Sequence, residues 1–460
     1  MRFRSRFDKI ALGTVFILAF FLLVMLTLGD FSQPRVQYFN GDQTEISPQI
    51  GQFLIRFNRL MNEKSVEEGF TIVPKVSGSF SWAGRTFAFT PTEPLLYGQS
   101  YTLILRGAED RAGKKMLVTT LQTKTRDQSV VFLNEQGNIL QVSIKDGNQN
   151  QLTNEQIFVQ QFDLSPDGNF IAFLAQPRGS TSLQDKTHFQ LYVMQLLDQT
   201  LIKLPLPQEI ILDNLHWLPD ASAVAFSYVD STTSKEGLKI YDLNSQTISD
   251  LAAGKARAYD FYFTPDGSQV AYIDTNGALI LGDMPDGNGA LVATVFTEIS
   301  GFSSRGDKLG YILPRTIDAF DLTNIPILVD SEGNEDRVPV PMGSTSFNVS
   351  FVPKQEKIVF SLEESLGNER KNTIYSYSYD KKELKKLVDN PDCTAEHPVA
   401  SPDGSLVIWQ CIHNEHKGYT VTGWNDYQGK MLVGEIWLTD LANGIEENLH
   451  IQGANVEFLP

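Results

Sequence analysis

Ser165-Pro166-Asp167-Gly168-Asn169-Phe170-Ile171-Ala172-Phe173 is the stretch from which the fold is read. Its first four residues are turn chemistry. Proline presets φ at the first corner, aspartate bonds its own backbone, and glycine accepts the positive φ that returns the chain. Its last three are an aliphatic–small–aromatic step of a buried strand.

The unit recurs. The turn returns at Leu218-Pro219-Asp220-Ala221, Thr264-Pro265-Asp266-Gly267 and Ser401-Pro402-Asp403-Gly404, and in degraded form at Ser303-Ser304-Arg305-Gly306 and Val352-Pro353-Lys354-Gln355. The strand step has seven copies, ending at Phe132, Phe173, Phe226, Tyr272, Tyr311, Phe360 and Trp409, about 46 residues apart. That period is one four-stranded blade. A third strand follows in each repeat, as in Ile240-Tyr241-Asp242-Leu243, and then a shorter fourth. The fold class is therefore all-β, with a seven-bladed β-propeller over residues 129–460. The first copy has no turn before it, and Val456-Glu457-Phe458-Leu459-Pro460 reads as a strand that leads into one. The last strand is expected to complete the first blade and remove the free edges. These repeats resemble the TolB-like, WD-repeat-like β-propeller family, in which protein-binding periplasmic scaffolds and peptidase-gating propellers both occur.

Residues 46–126 read as a second all-β unit. Gln52–Phe57, Thr86–Phe89 and Tyr101–Leu105 alternate with period two between turn residues. This suits an Ig-like β-sandwich. The order Ile55-Arg56-Phe57-Asn58, Phe80-Ser81-Trp82, Phe87-Ala88-Phe89-Thr90-Pro91, Tyr97-Gly98 and Asp110-Arg111-Ala112-Gly113 resembles the bacterial Ig-like domain of surface-layer proteins. One departure is Leu121, where the last strand usually carries phenylalanine. The resemblance implies a spacer or adhesive module without an active site.

Residues 10–28 form an uncharged apolar run behind a basic tail, residues 1–9. Nineteen residues of helix rise about 28 Å, enough to cross a bilayer. The run is long for a signal peptide and lacks an A-x-A-like site, so a retained transmembrane helix is the preferred reading. Arg2, Arg4, Arg6 and Lys9 then place the N-terminus in the cytoplasm and the bulk of the chain outside, beyond a polar stalk at 31–45. The net charge is −17, which reads against nucleic acid as a partner. Cys393 and Cys411 flank one expected hairpin; they either bridge, as an exported protein permits, or stay as two thiols.

Chemistry is sparse. There is no G-x-S-x-G, H-E-x-x-H or C-x-x-C pattern, so no catalytic set, cofactor or metal is assigned. Asp283 to Gly289 is rich in oxygen ligands, but reads as a turn without the glutamate of a calcium loop. Connections between second and third strands vary more. They are short near Thr275-Asn276 and Pro314-Arg315, long at 175–188 and 362–372, and longest at 413–433, which carries His413, His416, Tyr419, Trp424 and Tyr427. Aromatics on a loop held by a rigid scaffold point to a candidate binding loop. The expectation is a non-enzymatic, membrane-anchored extracytoplasmic scaffold that recognises an envelope protein or glycan. The alternative is an enzyme acting on polysaccharide or peptide through carboxylates in the central channel.

Overall fold

The computed structural model describes residues 13–20, 33–42, 45–178, 189–207, 209–318, 321–366, 369–390, 392–413 and 433–460. These fall into two compact units: Met1–Ile46, Gly51–Glu93 and Ser100–Lys124 in one, and Ser47–Ile50, Pro94–Gln99 and Thr125–Pro460 in the other.

The first unit is a β-sandwich. One sheet has the order Val36–Phe39, Phe53–Phe57, Thr86–Pro91, Gly78–Ala83, and the other Phe70–Val73, Ser100–Leu105, Thr119–Lys124. Phe53, Ile55, Phe57, Phe87 and Leu103 are fully buried between them. Period-two alternation decides which faces turn inward.

Two expectations change here. Part of the stretch read as a stalk is a strand, because Phe39 is buried and stacks on Phe53 at 6.0 Å. A short helix, Glu63–Gly69, interrupts the all-β pattern. Asn62 caps it by accepting from the Ser65 amide, and Val66 anchors it in the core. Residues 13–20 are helical. Among the described residues no helix is long and apolar enough to cross a membrane; the rest of the run at 10–28 lies outside them.

The second unit is a β-propeller. Five sheets are four-stranded and antiparallel, each made of strands consecutive in sequence. The first comprises Ile157–Leu164, Phe170–Pro177, Gln190–Gln195 and Leu201–Lys203; the last comprises Thr345–Val352, Lys357–Leu366, Glu369–Ser378 and Glu383–Val388. The seven-stranded sixth sheet is the closure. Its strand Glu446–Phe458 pairs along its first part with Gly434–Asp440, and further on sets Phe458 opposite Val130 and Glu457 opposite Val131. The first strands of successive sheets pack against one another around the ring, and Glu446–Phe458 packs on both Ile157–Leu164 and Cys393–Ala400. The aromatic of each strand step goes into the layers between sheets: Phe132, Phe173, Phe226, Phe360 and Trp409 are all buried.

The turns close as their chemistry dictates. Gly168, Gly267, Gly306 and Gly404 have positive φ and donate to the carbonyl three residues back. The leading hydroxyl adds a second lock: Ser165 Oγ donates to Asp167 and accepts from the Phe170 amide, and Ser401 does the same with Asp403 and Leu406. In Val352-Pro353-Lys354-Gln355 the left-handed residue is Lys354 instead (φ 62°), one residue earlier than the glycine of the other turns.

Two loop readings are corrected. The stretch 362–372 is a continuation of paired strands up to Leu366↔Glu369, and the connection near Pro314-Arg315 lies inside a hairpin running to Asp318↔Asp321. Alternating polar side chains hid strands that extend past the buried layer. Of the 175–188 connection, residues 175–177 continue the strand Phe170–Pro177 and residues 179–188 lie outside the described residues.

Candidate functional site

The first strands of neighbouring sheets meet, as Ile157–Leu164 does Ile210–Trp217 and Glu298–Phe302 does Thr345–Val352. Six of these strands carry an irregularity at a matching place, as between Val159 and Gln161, Leu212 and Leu215, and Ala454 and Glu457. Such bulges re-aim side chains. Asn348, His397 and Asn455 hold it with left-handed backbones (φ 52°, 52° and 49°); Asn and His tolerate that region better than most residues.

Two residues before the turn, the successive repeats place Asp163, His216 and Tyr262, and the closing strand places Glu457 at the same level. These meet. His216 Nδ1 lies 3.6 Å from Asp163 Oδ2, and its Nε2 lies 3.4 Å from Asp260 Oδ1. The Trp217 amide donates to Asp163 Oδ2 at 2.8 Å, and the Trp217 indole to the Asp163 carbonyl at 3.0 Å. The Tyr262 hydroxyl donates to Asp260 Oδ2 at 3.3 Å, with its ring 4.7 Å from the imidazole.

Burial pulls the His216 imidazole down, but Asp163 and then Asp260 outweigh it and push it up to about 10. It is therefore an imidazolium at neutral pH, a cation clasped between two sheets. Burial, and then the Asp163 charge, raises the Glu457 carboxyl well above its ordinary value. Burial and the Asp260 charge push Glu298 up to about 7. The network thus combines an imidazolium with two carboxyls whose protons are held to higher pH than usual. None of these residues stands out in a linear reading. The signal was positional: superposing the repeats on their turns puts Asp163, His216, Tyr262 and Glu457 in register.

Of the residues proposed from sequence, His413 is described and ends the strand Leu406–His413, opposite Cys393, its Nε2 3.4 Å from Glu435 Oε2. His416, Tyr419, Trp424 and Tyr427 lie outside the described residues. Cys393 and Cys411 form a disulfide with Cα atoms 5.4 Å apart, tying the first two strands of one sheet. Cys411, His413 and Glu435 lie close together, but the disulfide removes the thiolate a metal would need. In the turn at 283–289, Lys255 Nζ donates to the Asp286 carbonyl and to Asn288 Oδ1, filling with an ammonium the place a cation would take. The sandwich carries its own groove of about 620 Å³ between its edge strands Val36–Phe39 and Thr119–Lys124.

Residues 32–132 match the family model of the bacterial Ig-like domain. No curated protein matches the chain. Among solved structures, an oligogalacturonate lyase in complex with manganese is 15% identical at a TM-score of 0.49, over 70% of this chain and 85% of that one. The β-propeller domain of the Trilobed protease from Pyrococcus furiosus is 13% identical at 0.48, over 78% and 97%. A putative TolB from Agrobacterium tumefaciens is 17% identical at 0.40, over 71% and 89%. The chain thus joins a bacterial Ig-like domain to a propeller whose structural neighbours include TolB.

Proposed function

We propose that this protein is a membrane-anchored extracytoplasmic scaffold whose propeller recognises a protein or glycan of the cell envelope. We read the seven-stranded sheet as two four-stranded blades sharing the strand Glu446–Phe458, and the ring as seven-bladed, a reading that the order of its strands supports. The run at 10–28 is the anchor and the Ig-like domain the spacer. One observation carries the preference for binding over catalysis: the cation of the inner-strand cluster is already paired within it. His216 is spent on Asp163 and Asp260, so it is neither a free base nor the partner of a nucleophile. Partner recognition is assigned to the connection at 413–433. Crosslinking of the full chain in its native membrane should capture a discrete partner, and Trp424→Ala should reduce that capture at least fivefold. Unchanged capture would remove the loop from the reading.

A second reading rests on Glu298. An acid pushed up to about 7 is suited to general-acid work on a glycosidic or peptide bond. It predicts turnover of envelope polysaccharide or peptide that falls at least a hundredfold in Glu298→Gln. Purified protein that releases no product from either substrate class retires this reading.

A further inference from the structure

Among the described residues, several buried side-chain atoms have no hydrogen-bond partner, and two of them, Glu396 Oε2 and His397 Nδ1, lie close together on the same strand. Glu396 is 5% exposed. Its Oε1 accepts from Asn372 Nδ2 at 2.8 Å, across the gap between the sheet of Thr345–Val352 and that of Cys393–Ala400. Its Oε2 accepts from nothing, and neither does His397 Nδ1 engage a partner, 3.9 Å away. An unmet buried polar atom costs on the order of 1–3 kcal/mol.

The surroundings say what would meet them. Asn372 pairs with Glu363, so Glu363 and Ser361 lie on the same sheet face as Asn372, and Ser361 Oγ is a further buried atom without a partner. The charge of Glu363 acts on Glu396. Burial keeps the His397 imidazole uncharged at neutral pH, down at about 4, so with its proton on Nε2 its Nδ1 accepts. With that tautomer and an ionised Glu396, both open atoms accept, and the nearby charge is negative. One nitrogen about 2.9 Å from each reaches both Oε2 and Nδ1. The His397 side chain keeps 21% of its surface, so it is the member of the pair that borders solvent. The left-handed bulge is shared with Asn348 and Asn455 and so belongs to the fold; the unengaged imidazole is particular to this sheet.

We propose that Glu396 and His397 form a site for a small ligand bearing a primary ammonium group. The ammonium donates to both, and the Glu396 carboxyl gives up its proton to become the counter-charge. This is independent of which partner the propeller recognises.

The test is titration calorimetry of the full chain in detergent at pH 7 with methylammonium chloride, run in two buffers of different ionisation heat. Tetramethylammonium, which has no N–H, and glycerol, which is uncharged, are the controls. Saturable binding of methylammonium with proton release is expected, with at least tenfold weaker binding of both controls. His397→Asn, which keeps the left-handed backbone, and Glu396→Gln should each weaken binding at least tenfold, with thermal unfolding checking that each variant is folded. Absence of methylammonium binding, equal binding of tetramethylammonium or glycerol, or binding unchanged in folded His397→Asn overturns the proposal.

Discussion

His216 illustrates how a single residue acts through its position in the ring. Its folded state holds a proton up to about pH 10, whereas an unfolded histidine titrates near 6.5. A raised value means the stabilisation is fully present below about pH 6.5 and is lost as pH rises toward 10. Urea denaturation of wild type and His216→Gln should therefore differ by about 2–3 kcal/mol at pH 6 and converge by pH 10. A constant gap would show that the ring packs by shape alone. Glu298 runs on the same sign, since its raised value lowers stability between about pH 4.5 and 7. Glu298→Gln should gain about 1 kcal/mol at pH 8 and nothing at pH 4, read from the same curves. Ala221, left-handed at φ 57° where Gly168, Gly267, Gly306 and Gly404 stand in other turns, offers a third case. Ala221→Gly should raise the melting temperature slightly, relieving about 1 kcal/mol of backbone strain.

At the scale of elements, the turn and the disulfide do different work. The turn is local: hydroxyl, aspartate and glycine lock one hairpin within five residues, which is why a linear reading recovers it. The disulfide Cys393–Cys411 joins strands 18 residues apart in sequence. Closing a loop of that size is worth about 3 kcal/mol. The double variant Cys393→Ala, Cys411→Ala should lower the urea midpoint by an equivalent amount, and reductant should then have no further effect on it. The hairpins at 308–330 and 357–378 were misread because outside the buried layer no hydrophobic alternation marks a strand; hydrogen bonding across the pair sustains it instead.

For the whole molecule, closure is the main consequence of the fold. Glu446–Phe458 belongs to the last repeat at its start and to the first at its end. Within the propeller unit, Tyr97 donates to the Leu459 carbonyl and Ser47 to that of Pro460, fastening the strand that closes the ring. Chain cut after Gly453 should leave the edge of Ser129–Leu133 unpaired and aggregate, seen as a shift to high mass in light scattering, while added reductant alone should not produce that shift.

The period of about 46 residues, the turn chemistry and the period-two strands were enough to read an all-β chain with a propeller and an Ig-like unit, because those signals are local and repeat. The strand Val36–Phe39, the helix Glu63–Gly69 and the true hairpin lengths needed the packed structure, since each depends on a neighbour distant in sequence. So did the inner-strand network. Asp163, His216, Asp260, Glu298 and Glu457 span 295 positions, and only closing the ring brings their charges within reach of one another. Their protonation is a property of that enclosure, where burial and neighbouring charge act together, and no residue carries it in its local sequence.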